Sequence, residues 1–466
     1  MNESIRRNAR VSAALAWLLV PVSMAGAQVC VDPAGGGCQL TIQAGVDVAT
    51  AGQTVTLAAA TYSETVEIPA GKDGLVISAA GAVLDNPTSE DGITILSNDV
   101  TVRGLALRNG NTGITVGDDA VSFPSGTVLT GLDFNAIYES CVMLFGVDDT
   151  TISGSSFTSC GEVGVRAERG SLDTGSNGTV ITKNRFRICS DGCVNVDGDD
   201  IVVSGNKVSQ SEDEPGILVE GDDARVEKNS LIAVAGGVAV YGARPFVVKN
   251  KVSVYSSAAA YEVDCLGDCT GALVSTNKAS GGVDDEDGFS LYADAAGMVV
   301  SKNSTRNAPD DGFDVDGVGI TVTANKSTSS GGDAYQDGFQ ISGEAHVVTG
   351  NTASGNANDG FHVYGIDHQL TGNVAGGNFG DGFECDDDGT DMTGVLLASN
   401  TASDNIGQGF VVAMHGPNPI DVTLTGNTST GNLVAFCEED QDSAATDGGG
   451  NSFTIAGAPL CAVDHD

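Results

Sequence analysis

Positive charge is scarce in this sequence of 466 residues. Lys and Arg together number 21 against 62 Asp and Glu, and the formal net charge is −41. A surface of that sign repels nucleic acids and anionic membranes, which excludes both as partners. It would also repel an acidic polysaccharide, unless cations lie between the two.

Long apolar runs are absent after the N-terminal segment. Residues 1–27 begin with a basic stretch that contains Arg6, Arg7 and Arg10. A short apolar core and Ala25-Gly26-Ala27 follow, which is the pattern of a cleaved export signal. No later apolar stretch reaches the roughly 18 residues that a membrane-spanning helix needs. We therefore expect a secreted protein, extracellular or periplasmic, with no membrane span.

What the sequence does contain is a repeat. The phrase Asp-Gly-Phe occurs five times, at steps of 24, 26, 22 and 22 residues. Its copies begin at Asp287, Asp311, Asp337, Asp359 and Asp381. A degenerate copy, Gln408-Gly409-Phe410, follows. A period in this range marks a repeat architecture.

A second series, of asparagines, runs in phase with the first. Its members are Asn184, Asn206, Asn229, Asn250, Asn277, Asn303, Asn325, Asn351, Asn373, Asn400 and Asn427. Between the two series apolar and polar residues alternate, which is typical of short half-buried strands joined by turns. Three such strands and no helix fit into each repeat, so the sequence predicts an all-β, right-handed parallel β-helix of about sixteen coils. We expect the asparagines to adopt left-handed backbone in tight turns and to hydrogen-bond along their own ladder.

Equivalent positions on adjacent coils should stack about 4.8 Å apart. The predicted inward aromatic stack is Phe289, Phe313, Phe339, Phe361, Phe383 and Phe410. The predicted inward aliphatic stack is Leu291, Val315, Ile341, Val363, Cys385 and Val412. These columns are expected to make the fold and no chemistry.

The chain is expected to form one array without a linker. We divide it into the signal peptide 1–27, an N-terminal cap and first coils at 28–97, the repeats at 98–436 and an acidic C-terminal cap at 437–466.

The cap carries Ile42-Gln43, Gly52-Gln53-Thr54-Val55 and Thr61-Tyr62-Ser63-Glu64, and a short helix is expected there. In this series the chain resembles the pectin-lyase-like superfamily. The resemblance implies a right-handed parallel β-helix over essentially the whole mature chain. It implies no single activity, because this fold hosts lyases, hydrolases, epimerases and silent adhesins.

Eleven cysteines in an exported protein predict disulfides. Local pairs are expected at Cys30–Cys38, Cys189–Cys193 and Cys265–Cys269, and pairs about one coil apart at Cys141–Cys160 and Cys437–Cys461. Cys385 is left over, and the alternation places it in the core as an inert thiol.

Two outward columns lie beside the aliphatic stack. The first is Ser290, Asp314, Gln340, His362, Glu384 and Val411; the second is Tyr292, Asp316, Ser342, Tyr364, Asp386 and Ala413. We expect both to face solvent on one flat sheet, as a sugar-binding surface or as an ordinary solvated strand face. The candidate substrate-binding residues are Gln340, His362, Tyr364 and Glu384.

The repeated aspartates predict a cation site. Carboxylates one strand spacing apart repel by roughly 1 kcal/mol per pair in water. Calcium takes six to eight oxygen ligands in flexible geometry and would relieve that repulsion. The alternative is turn chemistry repeated by duplication.

The phrases Asp287-Gly288-Phe289 and Asp310-Asp311-Gly312-Phe313-Asp314 resemble the calcium site of polysaccharide lyase family 9. The resemblance implies calcium ligands at Asp287, Asp310, Asp311 and Asp314. On the following coil that family places its catalytic Lys, and this chain has Gln340. An amide cannot accept the proton that such a lyase removes.

We therefore expect an exported, calcium-stabilised monomer that binds an acidic polysaccharide or another cell-surface component without turnover. One alternative is a divergent calcium-dependent polysaccharide lyase or epimerase that uses His362 as its base, oriented by Glu384. The other is a purely structural or adhesive rod. The Gly-x-Gly-His and Arg-x-Lys phrases of glycosidases with this fold are missing, as is the Asp-Pro-His-Asp phrase of alginate epimerases.

Overall fold

The computed structural model describes residues 28–86, 90–118, 122–169, 175–331, 336–387, 391–413, 420–438 and 445–453. The expected export signal and Cys461 lie outside these residues. Within them the chain winds through three parallel β-sheets in turn, which confirms the predicted β-helix.

Each complete coil contributes one strand to each sheet, and sheet 1 has one further strand at each end. Sheet 1 comprises Val29–Val31, Thr54–Leu57, Val76–Ala79, Thr101–Arg103, Val128–Thr130, Thr151–Ser153, Val180–Thr182, Val202–Ser204, Arg225–Glu227, Phe246–Val248, Leu273–Ser275, Val299–Ser301, Thr321–Thr323, Val347–Thr349, Gln369–Thr371, Met392–Ala398, Ile420–Thr425 and Ala445–Gly449. Sheet 2 comprises Thr61–Tyr62, Val83–Asn86, Ala106–Asn109, Asp133–Ile137, Ser156–Cys160, Arg185–Cys189, Lys207–Ser211, Ser230–Val234, Lys251–Tyr255, Lys278–Ser280, Ser304–Arg306, Lys326–Thr328, Thr352–Ser354, Val374–Gly376, Thr401–Ser403 and Thr428–Thr430. Sheet 3 comprises Val66–Ile68, Ile93–Ile95, Ile114–Val116, Val142–Phe145, Val165–Glu168, Val194–Asp197, Pro215–Glu220, Gly236–Gly242, Tyr261–Cys265, Phe289–Ala293, Phe313–Gly317, Phe339–Ile341, Phe361–Val363, Phe383–Cys385, Phe410–Val412 and Phe436–Glu438.

The predicted capping helix is Ile42–Val48. Its N-cap is Thr41, whose Oγ1 accepts a hydrogen bond from the Ala44 N–H at 3.1 Å. The side chains of Ile42 and Val46 are buried in the core beside the first coil. The helix therefore covers apolar surface at the N-terminal end of the coils.

The aromatic core stack is present as predicted. Six phenylalanines form a continuous column with ring centroids 4.6 to 5.0 Å apart, and Tyr261 extends it by one coil. The aliphatic column beside it is also buried, including Cys385. The glycine after each aspartate is needed for close packing: a Cβ at Gly360 would lie 2.6 Å from the Ala375 Cβ and 2.7 Å from the Gly382 oxygen.

The asparagine ladder (Asn184 to Asn427, as above) lies at the turn between sheets 1 and 2 and is buried. In a typical member, the Asn325 N–H donates to Asn351 Oδ1 at 2.8 Å, and Asn325 Nδ2 donates to the Val300 carbonyl at 2.9 Å. The expectation of left-handed asparagines was wrong. The left-handed residue is the preceding one, such as Lys228 (φ 58°) or Gly350 (φ 64°), because the asparagine itself must turn its amide into the interior.

The four expected disulfides within the described residues are present: Cys30–Cys38, Cys141–Cys160, Cys189–Cys193 and Cys265–Cys269. Cys385 is free and buried, as predicted. Disulfides in this number are typical of proteins in oxidising compartments, which fits an extracellular protein. No helix in the described part of the chain is long and apolar enough to cross a bilayer.

Candidate functional site

The five aspartates of the repeated phrase (Asp287, Asp311, Asp337, Asp359 and Asp381; the aspartate column) lie where the chain enters sheet 3. Each Oδ1 accepts the backbone N–H of the equivalent residue on the next coil. The N–H of Asp311 donates to Asp287 at 3.1 Å, and that of Asp359 donates to Asp337 at 2.8 Å. The series ends where the Gln408 N–H donates to Asp381. The column is thus a hydrogen-bonded ladder that links the coils and is buried from Asp311 onwards, with Asp287 partly buried. Each carboxylate keeps a second oxygen for another partner.

That second partner comes from the next coil of the outward column. Asp337 meets His362, and Asp359 meets Glu384. The charge of Asp314 acts in the same way on Asp287. The repeated phrase is therefore one scaffold whose facing residue changes from coil to coil.

The first carboxylate cluster contains three of the four predicted calcium ligands. One oxygen each of Asp287, Asp310 and Asp311 lies within 4.8 Å of the others. Burial, followed by the charges of Asp314 and Asp310, raises the pKa of Asp287 well above its usual value. Burial and the charge of Asp337 do the same to the pKa of Asp311. Carboxyls in this state gain from any cation that lies among them.

Asp314, the fourth predicted ligand, is not part of that cluster. The Gln340 Nε2 donates to Asp314 Oδ1 at 3.5 Å, so Gln340 lies against a carboxylate of its own column. Burial and the charge of Asp316 raise the pKa of Asp314 to about 6. Asp314 contributes negative charge beside the cluster.

His362 lies between two carboxylates. Its Nδ1 is 3.1 Å from Asp337 Oδ2 and its Nε2 is 3.2 Å from Asp386 Oδ2. Burial disfavours the charged imidazolium, but the contacts with Asp337 and Asp386 outweigh it and raise the pKa of His362 well above its usual value. The expectation that Glu384 orients His362 was wrong. Asp337 and Asp386 do so, because Glu384 turns towards Asp359.

A second carboxylate cluster lies one coil further on. One oxygen each of Asp359, Asp381 and Glu384 lies within 4.8 Å of the others. Burial, followed by the charge and hydrogen bond of Asp359, raises the pKa of Glu384 to about 11. At neutral pH Glu384 therefore carries a proton unless another cation replaces it.

The outward face is less open than expected. Val411 and Ala413 are buried against Cys437 in a small apolar cluster, and Ser342 and Asp386 are also buried. Tyr364 remains partly exposed, and its ring meets that of His362 edge-on at 5.4 Å. The accessible part of the face therefore ends before the Val411 coil.

The face also continues towards the N-terminus, which the sequence reasoning missed. Glu220, Tyr241 and Asp264 align in register with Tyr292, and Glu262 aligns with Ser290. Burial raises the pKa of Asp264 to about 6, with help from Glu262. The absence of Asp-Gly-Phe in these coils hid the column, although the repeat period could have extended it.

Three parallel sheets wound in turn define the protein as a parallel β-solenoid. The family model described as right handed beta helix region matches residues 120–279, 215–375 and 288–453, and the chain belongs to this family. Comparison with curated protein sequences finds no significant match.

Comparison with solved structures finds similar chains at low sequence identity. The catalytic unit of the GH87 alpha-1,3-glucanase from Streptomyces thermodiastaticus strain HF3-3 is 13% identical over 89% of this chain and 65% of its own, with a TM-score of 0.28. The alginate lyase from Paenibacillus sp. str. FPU-7 is 12% identical over 91% of this chain and 98% of its own, with a TM-score of 0.31. Tailspike protein 3 of bacteriophage CBA120 is 12% identical over 87% of this chain and 59% of its own, with a TM-score of 0.36. The chain thus spans less than two thirds of the glucanase unit and of the tailspike.

Proposed function

We propose that the protein is an exported, calcium-stabilised β-helix that binds an acidic polysaccharide on the outward face of sheet 3. The observation that carries the proposal is the convergence of Asp287, Asp310 and Asp311 at the edge of that face. Four disulfides support export.

The donor set of this first cluster fits calcium. All three residues offer carboxylate oxygens, the ligands that hard divalent cations prefer. Asp287 and Asp310 are only partly buried, so the cluster is open to solvent on one side. Calcium held there would keep coordination positions for water or for the carboxylate of a bound sugar. A bound cation would also reduce, at this site, the repulsion between an acidic chain and a protein of net charge −41.

The neighbouring side chains supply polar and aromatic contacts. Tyr292 and Tyr364 project from the same sheet and are partly exposed. Their rings can cover the apolar face of a sugar, while Gln340 can hydrogen-bond its hydroxyls. Glu384 is turned inwards to Asp359, so of the four candidate binding residues it contributes least to this surface.

The site lacks a base for β-elimination. Gln340 occupies the position of the catalytic Lys in the lyases that the sequence resembles, and its amide accepts no proton at working pH. His362 is held as an imidazolium by Asp337 and Asp386, so it cannot accept a proton either. We therefore propose binding with negligible eliminase activity, and His362 could instead attract a uronate carboxylate.

Binding to oligogalacturonates too short to gel tests the proposal. Isothermal titration of the protein with these oligomers should show binding in a buffer that contains calcium. The same titration in a buffer that contains a chelator should show none. Fully methyl-esterified oligomers are the matched ligand control, because they keep the sugar and lose the carboxylate. Asp310→Asn should abolish binding, whereas Asp222→Asn, at a partly exposed turn several coils away, should leave it unchanged.

Equal binding of the esterified oligomer, or binding that persists in chelator, would exclude the calcium bridge. Release of unsaturated product by the unmodified protein, lost in His362→Ala, would show a lyase instead. Gln340→Lys is the single change expected to introduce measurable elimination.

A further inference from the structure

Successive coils of the aspartate column have the same backbone geometry. The residue that faces one aspartate can therefore be compared with the residue that faces the next. His362 and Glu384 are register partners in adjacent strands of sheet 3. Asp337 and Asp359 are register partners in the column, joined by the 2.8 Å hydrogen bond described above. Glu384 therefore stands to Asp359 as His362 stands to Asp337.

The chemistry of these two equivalent pairs is opposite. Asp337 is neutralised by the imidazolium of His362 at 3.1 Å. Asp359 faces another carboxyl, that of Glu384, and Asp381 converges on the same point. Where one coil supplies a positive charge, the next supplies a further acid.

Two buried oxygens in this part of the column lack a donor from the surrounding protein. Oδ2 of Asp359, a residue 2% exposed, has no hydrogen-bond partner among the described residues apart from the carboxyl of Glu384 described above. Oε1 of Gln408 has none there either, and the Gln408 backbone N–H donates to Asp381. A buried oxygen without a donor costs roughly 1 to 3 kcal/mol, and more when it is charged, so such oxygens normally have a partner.

We propose that Asp359, Asp381 and Glu384 form a second calcium site, separate from the cluster of Asp287, Asp310 and Asp311. The ion takes the place that the His362 imidazolium occupies on the previous coil. Its protein ligands are all oxygens and come from two adjacent coils. Calcium fits this set, since it accepts six to eight oxygens at 2.3–2.6 Å without strict geometry. The proposal goes beyond polysaccharide binding, because it concerns an ion held inside the coil stack.

Counting bound calcium tests the proposal. Equilibrium dialysis of the wild-type protein against calcium should give two ions per chain. Glu384→Gln, which keeps shape and removes the charge, should lose one ion or weaken it by at least about tenfold. Asp310→Asn should lose the other ion, and the double variant should bind none.

The matched control is Glu262→Gln. This is the same substitution in the same row of sheet 3, at a residue aligned with Ser290. It should retain both ions. Loss of an ion in this control would show a general effect of surface charge and would overturn the assignment. Calcium binding by Glu384→Gln equal to that of the wild type would also overturn it.

The experiment tests the two proposed calcium sites separately. A wild-type protein that binds one ion and loses it in Glu384→Gln would retain this second site and reject the first. One ion lost only in Asp310→Asn would reject the second site. If Glu384→Gln does not fold, Asp381→Asn takes its place, because the asparagine Oδ1 can still accept the Gln408 N–H. Calcium binding by Asp381→Asn equal to that of the wild type would also overturn the proposal.

Discussion

The asparagine ladder and the aspartate column run along two corners of the same coils and use the same type of hydrogen bond in opposite directions. An aspartate Oδ1 accepts the backbone N–H of the next coil, whereas an asparagine Oδ1 accepts the backbone N–H of the preceding coil. The asparagine amide also donates to a backbone carbonyl, as Asn325 does to Val300. Its hydrogen bonds are satisfied without charge. The aspartate keeps a charge and a second acceptor oxygen, both of which need a partner.

The difference shows which column serves the fold alone. A neutral ladder can repeat through eleven coils without electrostatic cost. Charged groups about 4.8 Å apart repel by roughly 1 kcal/mol per pair in water, and more in a buried site. The repulsion within the aspartate column is offset by counter-charges or by bound protons, and His362 supplies one counter-charge. The comparison therefore indicates a structural role for the asparagines and supports the proposed cation-binding role of the aspartates.

The largest effect is expected when a carboxylate replaces an amide in the asparagine ladder. Asn325→Asp would lose the Nδ2 donor to Val300 and place an uncompensated anion in a buried ladder. An uncompensated charge left in a buried site costs about 3–5 kcal/mol. We expect a large drop in the urea midpoint, measured by circular dichroism. A midpoint equal to the wild type would show that the two columns are equivalent.

The buried histidine pair offers a comparison in pH. His346 and His368 stack at 5.0 Å, and each Nδ1 accepts a backbone N–H, which requires the neutral ring. Burial lowers the pKa of both, and that of His368 falls to about 4. The unfolded chain thus binds more protons between pH 6.5 and about 4. The histidine contribution to stability is complete above pH 6.5 and is lost as the pH falls through that window.

His368→Gln isolates this contribution, because glutamine can accept and donate the same hydrogen bonds. Relative to the variant, the wild type should lose about 3 kcal/mol of unfolding free energy between neutral pH and pH 4. Urea titrations at several pH values measure the difference. Parallel pH profiles for the two proteins would show that the histidine does not titrate in this window.

A smaller effect of opposite sign is expected in the aspartate column. Without calcium, Asp311→Asn removes repulsion from Asp287 and Asp337, yet its Oδ1 still accepts the Asp337 N–H. We expect the chelated variant to gain about 1 kcal/mol in unfolding free energy. It should also lose most of the stabilisation that calcium gives the wild type. Destabilisation in chelator would mean that the charge itself supports the fold.

The sequence predicted those features that depend only on the regular stacking of one coil on the next. The repeat period placed Phe361 above Phe339, and it aligned His362 with Gln340 and Glu384. It could not give the direction in which a side chain leans between coils. That direction decides whether His362 meets Glu384 or Asp337.

Local packing produced the other differences. The left-handed residue precedes the asparagine because the asparagine amide must enter the core. The identity of the residue alone does not indicate this constraint. Val411 stands in an outward position but is buried against Cys437, a residue from the following coil. Alternation defines a face, and the covering of that face depends on residues distant in the sequence.

Amide hydrogen exchange with and without calcium tests the central claim most directly, because it reports the two regions of one molecule separately. Calcium should slow exchange in the coils from Asp287 to Gln408, which carry the aspartate column. It should leave exchange unchanged in the coils from Asn184 to Asn250, where only the asparagine ladder is present. Equal protection in both regions, or no change in either, would contradict the account.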